Sequence, residues 1–402
     1  MTIAGRTQVG VIGAGPAGTL LARLLHQQGV DVVVLERRSR DYVEGRIRAG
    51  VLEQGTAAVL DTAGAAARLR ERGAEHDGIN VAFDERTVRV DLREYAHQPV
   101  IVYGQTEITK DLNRLNEADG VAVHFAVAAT AVSGIDNKSS RIQYHAAGRN
   151  GEIKCDYVAG CDGYHGISRR SMPAGVLREY EKTYPFGWLG VLSNTRPASA
   201  ELVYSAHQRG FALCSQRSSS VSRNYIQVAN DDDVSSWDDA QFWNELRRRL
   251  PDELANTLET GPSLEMSVAP LRSYIAEPLR CGRLCLVGDA GHIVPPTGAK
   301  GLNLAIADAA MLASALNAFY VDRDDRGIDR YSDTALERIW KAARFSWWFT
   351  MATHKLADSA FDQRMQIAEL DYFTGTTAGL TAIAENYVGL PINDPVTGGR
   401  LV

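Results

Sequence analysis

The sequence predicts an α/β fold: one strand-helix-strand unit shares its sheet with two later strands, is interrupted by a second, mixed β-sheet and is closed by C-terminal helices. Three observations carry this: a strand, glycine loop, helix and strand within residues 8–36, apolar strands ending in Asp-Gly at Asp162 and Gly-Asp at Asp289, and helical periodicity after residue 329. At 402 residues the length favours two or three lobes, because domains usually run about 100–200 residues.

The first unit reads in order. Gln8–Ile12 is a short apolar strand, Gly13-Ala-Gly15-Pro-Ala-Gly18 follows at once, and Leu20, Leu21, Leu24 and Leu25 recur at helical spacing. Gly29 supplies a left-handed cap. Val30–Leu35 is a second buried strand that ends in Glu36, 18 residues beyond Gly18. In such a unit the first glycine allows the tight turn, the second lets backbone approach a pyrophosphate, and the third lets helix pack on strand. The helix N-terminus holds the phosphates, and Glu36 is placed to accept hydrogen bonds from a ribose. There is one such fingerprint, so separate domains for two dinucleotides are not expected. Tyr157–Gly163 and Gly282–Ala290, each ending in a strand-terminal aspartate, favour FAD, since Asp162 and Asp289 suit the hydroxyls of a ribityl chain.

Composition narrows the function class. A chain that is 45% hydrophobic and 23% charged is neither disordered nor low-complexity. Its net charge of -6 argues against nucleic acid, so an anionic ligand must meet locally placed arginines. The five cysteines, 155, 161, 214, 281 and 285, form no CxxC pair and no disulfide framework, which predicts a reducing, cytoplasmic setting and no metal site. A strand already beginning near Gln8 leaves no room for a secretory signal. Leu302–Val321 is interrupted by Asn303, Asp308 and Asn317 and reads as a packed helix, with no membrane span expected.

The glycine loop, the Asp-Gly segment and the Gly-Asp segment together resemble the single-component class A flavoprotein aromatic hydroxylases. Longer strings, Gly45-Arg46-Ile-Arg48-Ala-Gly-Val-Leu-Glu-Gln54, Tyr103-Gly-Gln105-Thr, Tyr184-Pro-Phe-Gly-Trp188, Arg209-Gly-Phe-Ala-Leu-Cys-Ser215-Gln-Arg217, Pro295-Pro296-Thr-Gly-Ala-Lys300-Gly-Leu-Asn303 and Ala384-Glu-Asn-Tyr387-Val-Gly-Leu-Pro391, resemble the branch of that family that acts on 4-hydroxybenzoate. The resemblance spans about residues 8–391. It implies a glutathione-reductase-type FAD-binding domain from residues 1–74, 98–180 and 270–328, a substrate domain from 75–97 and 181–269, and a helical region over 329–402. Short strands are expected at Leu202–Tyr204, Phe211–Ser215 and Tyr225–Val228. The aromatic residues Trp340, Phe345, Trp347, Trp348 and Phe349 read as helix packing, part of it at a homodimer interface.

The implied reaction consumes O2 and NADPH, with NADH possible, and adds a hydroxyl beside the phenol of 4-hydroxybenzoate through a flavin hydroperoxide. The electrophilic oxygen demands an ionised phenol. A phenol titrating near 10 is about one part in a thousand ionised at pH 7, so moving it to ~7 takes roughly 4 kcal/mol of selective stabilisation. The resemblance assigns a hydroxyl relay to Tyr204 and Tyr387, with His76 where that relay meets solvent. Ser215, Arg217 and Tyr225 are expected to anchor the carboxylate, and Pro296 and Thr297 to shape the ring site. Lys300, Gly301, Leu302 and Asn303 open a helix whose N-terminus favours negative charge on reduced flavin, and Asn303 is counted with the catalytic set.

Arg46 is expected on the pyrophosphate, and Arg48, Gln105 and Arg223 around the mobile ring or the nicotinamide cofactor. His165, Arg169 and Arg272 are candidates for a transient NADPH groove, and Arg37, Arg38 and Tyr42 for its 2'-phosphate. Asn224, where relatives carry tyrosine, and Gly291, where alanine is common, are departures expected to alter flavin mobility or tolerance of ring substituents. Three other readings stay open on residues alone: a hydroxylase of a different hydroxybenzoate, a flavin oxidase or dehydrogenase needing no NADPH, and a non-redox protein holding lipid or peptide in the cleft.

Overall fold

The computed structural model describes residues 3–46, 50–137, 139–356 and 359–402. Two eight-stranded sheets divide the chain. The first has Arg6–Ile12 near its centre, parallel to Val32–Glu36 on one side and to Arg149–Gly160 on the other, with Leu284–Leu286 and Ala122–Phe125 beyond. The registers Ile12↔Leu35, Ile12↔Gly160 and Gly160↔Leu286 bring four strand ends level. The loops that begin at Gly13, Glu36, Cys161 and Val287 therefore leave from one edge, the carboxyl edge where open α/β sheets bind ligands. This sheet also carries a hairpin, Ala128–Ser133 with Ser140–Ala146, that the sequence reading did not anticipate.

Pro16–Gln27 forms the expected helix because Pro16 fixes its first turn and its leucines repeat on one face; Leu20, Leu21 and Leu25 are fully buried. It packs on Gly301–Asn317, which is buried almost all round and continues as a π-turn over Ala318–Asp322. The Leu302–Val321 stretch is thus a core helix, as its polar interruptions predict. Gly29 does adopt the left-handed conformation, φ 75°.

The second sheet runs in the order His292–Ile293, Ser263–Glu277, Arg178–Ser193, Val221–Ala229, Ala212–Ser218, Val203–Ala206, Gly78–Phe83 and Arg86–Asp91. Its three expected short strands are longer than the sequence reading drew them. The expected divisions at 180/181 and 269/270 fall inside the continuous strands Arg178–Ser193 and Ser263–Glu277, whose pairing runs without a chain break from one lobe toward the other. A small sheet of Val51–Leu52, Val100–Val102 and Ala74–His76 lies between the lobes in chain order.

Alternation gives the second sheet two faces. Tyr204, Leu213 and Tyr225 stand in register across three strands and join the core shared with the C-terminal helices Arg326–Thr353 and Thr377–Val388. Val203, Cys214 and Ile226 point the other way, onto Asp239–Arg247. Within the aromatic group, Phe349 is buried against Tyr204 and Phe345 against Phe349, each contributing about 1.5–3 kcal/mol of hydrophobic stabilisation, whereas Trp340 and Trp347 remain 40% and 42% exposed. Packing therefore accounts for only part of that group.

Candidate active site

The glycine loop separates two demands. A Cβ on Gly13 would stand 2.4 Å from the Cys161 carbonyl, and one on Gly18 would stand 2.0 Å from Gly13 O, so packing within the protein excludes side chains at both. A Cβ on Gly15 would meet nothing within 4 Å. The protein leaves that space open at the start of a helix with no side-chain cap, a shape and polarity that suit a pyrophosphate. Glu36 closes the loop from below: its carboxylate accepts the N–H groups of Ala14 and Arg38, each at 2.8 Å, and is buried. Backbone thus occupies the oxygens expected to face a ribose.

Asp162 is likewise more engaged than the sequence suggests. Its Oδ2 accepts from Ile167 N, Ser168 N and Ser168 Oγ, while Oδ1 is buried without a partner among the described residues. Burial raises its pKa, and the three donors oppose that rise. Asp289 sits half-buried on a single 3-10 turn, Gly288–Ala290, at the same sheet edge. An open glycine cradle, an uncapped helix start and an orphaned Oδ1 together fit FAD.

Gly301 and Leu302 begin a second helix without a side-chain cap among the described residues, and the positive end of such a helix suits an anion. The neighbours expected to serve the flavin do something else. Lys300 Nζ is buried, bonds Glu53 Oε1 and the Tyr387 carbonyl, each at 2.8 Å, and its pKa is lowered by burial. Arg338 takes the other oxygen of Glu53. Asn303 spends its whole amide on the protein: Oδ1 accepts from Glu53 N and Thr56 Oγ1, and Nδ2 donates to the carbonyls of Val51 and Ala299. The side chains of both residues tie the segments around the helix start together.

On the second sheet, Tyr204 and Tyr387 lie with hydroxyls 2.8 Å apart, both 1% exposed. Burial raises the pKa of each, with the paired hydroxyl adding to the rise at Tyr204 and opposing it at Tyr387. A hydroxyl whose own ionisation is suppressed can accept a proton on one side and release one on the other while remaining neutral. His76 does not stand at solvent as expected. It is 1% exposed, contacts Gln216 through Nε2, and leaves Nδ1 unpartnered; no direct bond joins it to either tyrosine among the described residues. Burial lowers its pKa, and Glu201 and Asp77 act in the opposite direction.

Arg217 fits the role of anion anchor. It donates to the neighbouring Gln216 carbonyl at 3.2 Å, and its Nε is buried without a partner among the described residues. Burial lowers its pKa, the nearby Tyr225 hydroxyl counteracts that, and Arg223 adds to it. A guanidinium in this state gains from a carboxylate. Ser215 points its hydroxyl at the Arg223 carbonyl, 2.6 Å away, so its proton is committed to the sheet. Tyr225 is half-buried and leans on Trp188, ring centroids 5.0 Å apart. Arg223 is buried and pairs with Glu265 at 3.1 Å. Pro296 is exposed on the loop ahead of the helix, and Thr297 is buried with its hydroxyl bonded to Thr350.

His165, Arg169 and Arg272 do converge, and Tyr164 is the point of convergence: Arg169 and Arg272 lie 4.6 and 4.8 Å over its ring, and His165 meets it edge-on at 5.0 Å. Arg169 and Arg272 also reach Glu179 and Glu181 at 3.3 and 3.7 Å. Arg37, Arg38 and Tyr42 are exposed just past Glu36, with Arg38 4.9 Å over the Tyr42 ring. Arg46 is exposed at the end of helix Arg40–Gly45, and Gln105 opens helix Gln105–Ala118; Arg48 lies outside the described residues.

Two expectations about departures need correction. Asn224 follows Arg223 and precedes Tyr225 on a strand, so it faces the opposite layer, where it is buried and donates to Ser222 Oγ. It does not border the ring site. At Gly291 a Cβ would meet Leu279 Cδ2 at 2.6 Å, so this glycine reflects core packing rather than flavin mobility. The sequence reading missed Glu53, Arg338, Gln216, Tyr164 and the pair His292–Asp308; only Asp308, an acid within an apolar helix, carried a local signal.

Comparison with known proteins agrees with this geometry. A family model described as FAD binding domain matches residues 6–346. The p-hydroxybenzoate hydroxylase of Acinetobacter baylyi is 50% identical over 388 residues, 96% of each chain. Kynurenine 3-monooxygenase of Salinispora arenicola is 28% identical, covering 78% of this chain and 73% of the relative. In fold, the chain is similar to the crystal structure of p-nitrophenol 4-monooxygenase from Pseudomonas putida, with a TM-score of 0.81, 19% identity and coverage of 96% and 99%.

Proposed function

The chain belongs to the FAD-binding-domain family of flavoprotein aromatic hydroxylases, and on that premise we propose that it hydroxylates 4-hydroxybenzoate at the 3-position, giving 3,4-dihydroxybenzoate with NADPH and O2. The single observation that carries the substrate is one sheet that presents both a half-buried arginine, Arg217, whose buried Nε has no partner among the described residues, and Tyr204, whose hydroxyl meets that of Tyr387 in a dry pair. One end of the ligand must be anionic and the other must give up a phenolic proton.

Bound FAD supplies the reduced ring that activates O2. The protein's part is to bind, orient and deprotonate. Arg217 and the Tyr225 hydroxyl hold the carboxylate, which fixes the para hydroxyl at a set distance from the anchor. Tyr204 receives the phenolic proton and hands one to Tyr387 along the 2.8 Å contact. His76 is proposed as the next acceptor; burial lowers its pKa, which favours the neutral imidazole that can receive a proton in passing. The shared aromatic core keeps water from the ring site.

NADPH is proposed to dock transiently beside Tyr164, with Arg37 and Arg38 as the 2'-phosphate contacts; comparing kcat/KM for NADPH and NADH tests that choice. We also read the enzyme as a cytoplasmic homodimer, a reading that its five free thiols and the exposed Trp347, Phe361 and Tyr372 support and that sedimentation tests. The function itself is tested by oxygen consumption over a panel of hydroxybenzoates. The greatest stimulation by 4-hydroxybenzoate is expected. NADPH-independent flavin reduction would point to an oxidase, and a colourless protein that FAD cannot reconstitute would point to a non-redox binder.

A further inference from the structure

The turn that carries Asp289 is held from beneath by a carboxylate outside every strand-end motif. Asp308 lies in the middle of the helix Gly301–Asn317 and is 0% exposed. Its Oδ2 accepts the Gly288 N–H at 2.9 Å and meets His292 Nε2 at 2.6 Å. These two contacts fall on either side of Asp289: one at the first residue of the turn Gly288–Ala290, the other at the short strand His292–Ile293 that follows. One oxygen carries both, since Asp308 Oδ1 and His292 Nδ1 have no partner among the described residues.

The turn needs an external hold. Gly288 adopts φ 62°, and a Cβ there would stand 2.9 Å from the Ala305 Cβ on the same helix, so turn and helix are in close contact without any interlocking side chain. Within the turn the backbone supplies one bond, Gly291 N–H to Gly288 O. The residues one turn away on the same face, Leu304, Ala305, Met311 and Leu312, are apolar and buried. A carboxylate in such surroundings is costly unless paired and hydrogen-bonded, and here one pairing ends on the turn and the other on the strand that follows it.

We propose that Asp308 and His292 are positioning residues that clip the Gly-Asp turn to the helix Gly301–Asn317, so that Asp289 meets FAD in one orientation. Neither residue touches the cofactor. The clip also links Asp289 to the helix whose uncapped N-terminus begins at Gly301, so two FAD-facing features move as one body. This rests on the FAD-binding reading, which uptake of FAD by the parent apoprotein checks separately.

The test uses purified full-length apoprotein of the parent, Asp308→Asn, His292→Gln and Leu316→Ala. Leu316→Ala deletes a buried side chain at the far end of the same helix and serves as a stability control. FAD dissociation constants are measured by fluorescence quenching, at a temperature well below each apoprotein's own Tm by circular dichroism. Asp308→Asn and His292→Gln are expected to weaken FAD binding at least tenfold, while Leu316→Ala lowers Tm and leaves the FAD constant within threefold of the parent. If His292→Gln binds FAD within threefold of the parent, or if Leu316→Ala weakens FAD as much as the two clip variants do, the clip is overturned. Should Asp308→Asn fail to fold, His292→Gln alone decides.

Discussion

The hydroxyls of Tyr204 and Tyr387 lie 2.8 Å apart and have no other hydrogen-bond partner among the described residues. They come from a strand of the second sheet and from the last long helix, 183 residues apart in the chain. Each therefore has one side committed to its partner and capacity left for a phenol or a base. In Tyr204→Phe the first link is gone while the glycine cradle is untouched. FAD binding should be unchanged, and reducing equivalents should leave as H2O2 instead of hydroxylated product. Unchanged product per NADPH in that variant refutes the relay.

The Arg217 anchor makes a separate prediction. Losing one partner of a buried, hydrogen-bonded charge pair costs about 2–5 kcal/mol, so Arg217→Ala should raise the 4-hydroxybenzoate dissociation constant at least about tenfold. Binding is read from the perturbation of the flavin spectrum. The parent should bind phenol itself far more weakly than 4-hydroxybenzoate; equal binding of the two contradicts the anchor.

The glycine loop predicts opposite outcomes for neighbouring substitutions. Gly15→Ala adds a Cβ where the protein has open space, so the apoprotein should keep its Tm while FAD affinity falls by tenfold or more. Gly18→Ala drives a Cβ to 2.0 Å from Gly13 O, and its main effect should be lost stability of the apoprotein. Thermal melts and FAD titrations on the two variants check both halves. A stable Gly18→Ala apoprotein, or full FAD affinity in Gly15→Ala, breaks the assignment.

His354 ties acid stability to the aromatic wall behind Tyr225. It is 1% exposed, accepts the Trp188 indole N–H at Nε2 over 2.7 Å, stacks on Phe211 at 4.1 Å, and burial lowers its pKa to about 3. A depressed folded pKa means the unfolded chain binds the extra proton first. The contribution is complete above the unfolded value near 6.5 and is lost as pH falls from there toward about 3. Across that window this residue contributes a slope of about 1.4 kcal/mol per pH unit. Urea unfolding of His354→Phe between pH 6 and 4 should show a pH dependence shallower by roughly that amount. Equal slopes contradict it.

What the sequence made legible was what adjacent residues decide. The turn at Gly13, the helix after Pro16 and the strand ends at Asp162 and Asp289 are local, and they stand where the pattern puts them. The side that Asn224 faces was legible too, since neighbours on a strand face opposite ways and Tyr225 faces the shared core. Lys300 was not legible: its place at a helix start suggested the cofactor, and only the fold brings Glu53, 247 residues away, within 2.8 Å. The burial of His76 depends in the same way on Gln216, 140 residues further on, and on the small sheet that sets its strand.

The most direct measurement is the ratio of 3,4-dihydroxybenzoate formed to NADPH oxidised by the purified FAD-loaded enzyme with 4-hydroxybenzoate at neutral pH. Hydroxylation through an anchored, deprotonated phenol predicts a ratio close to one product per NADPH, with NADPH oxidation slow when the substrate is omitted. Rapid oxidation of NADPH without dihydroxylated product, or product formed from 4-hydroxybenzoate with no NADPH consumed, would contradict it.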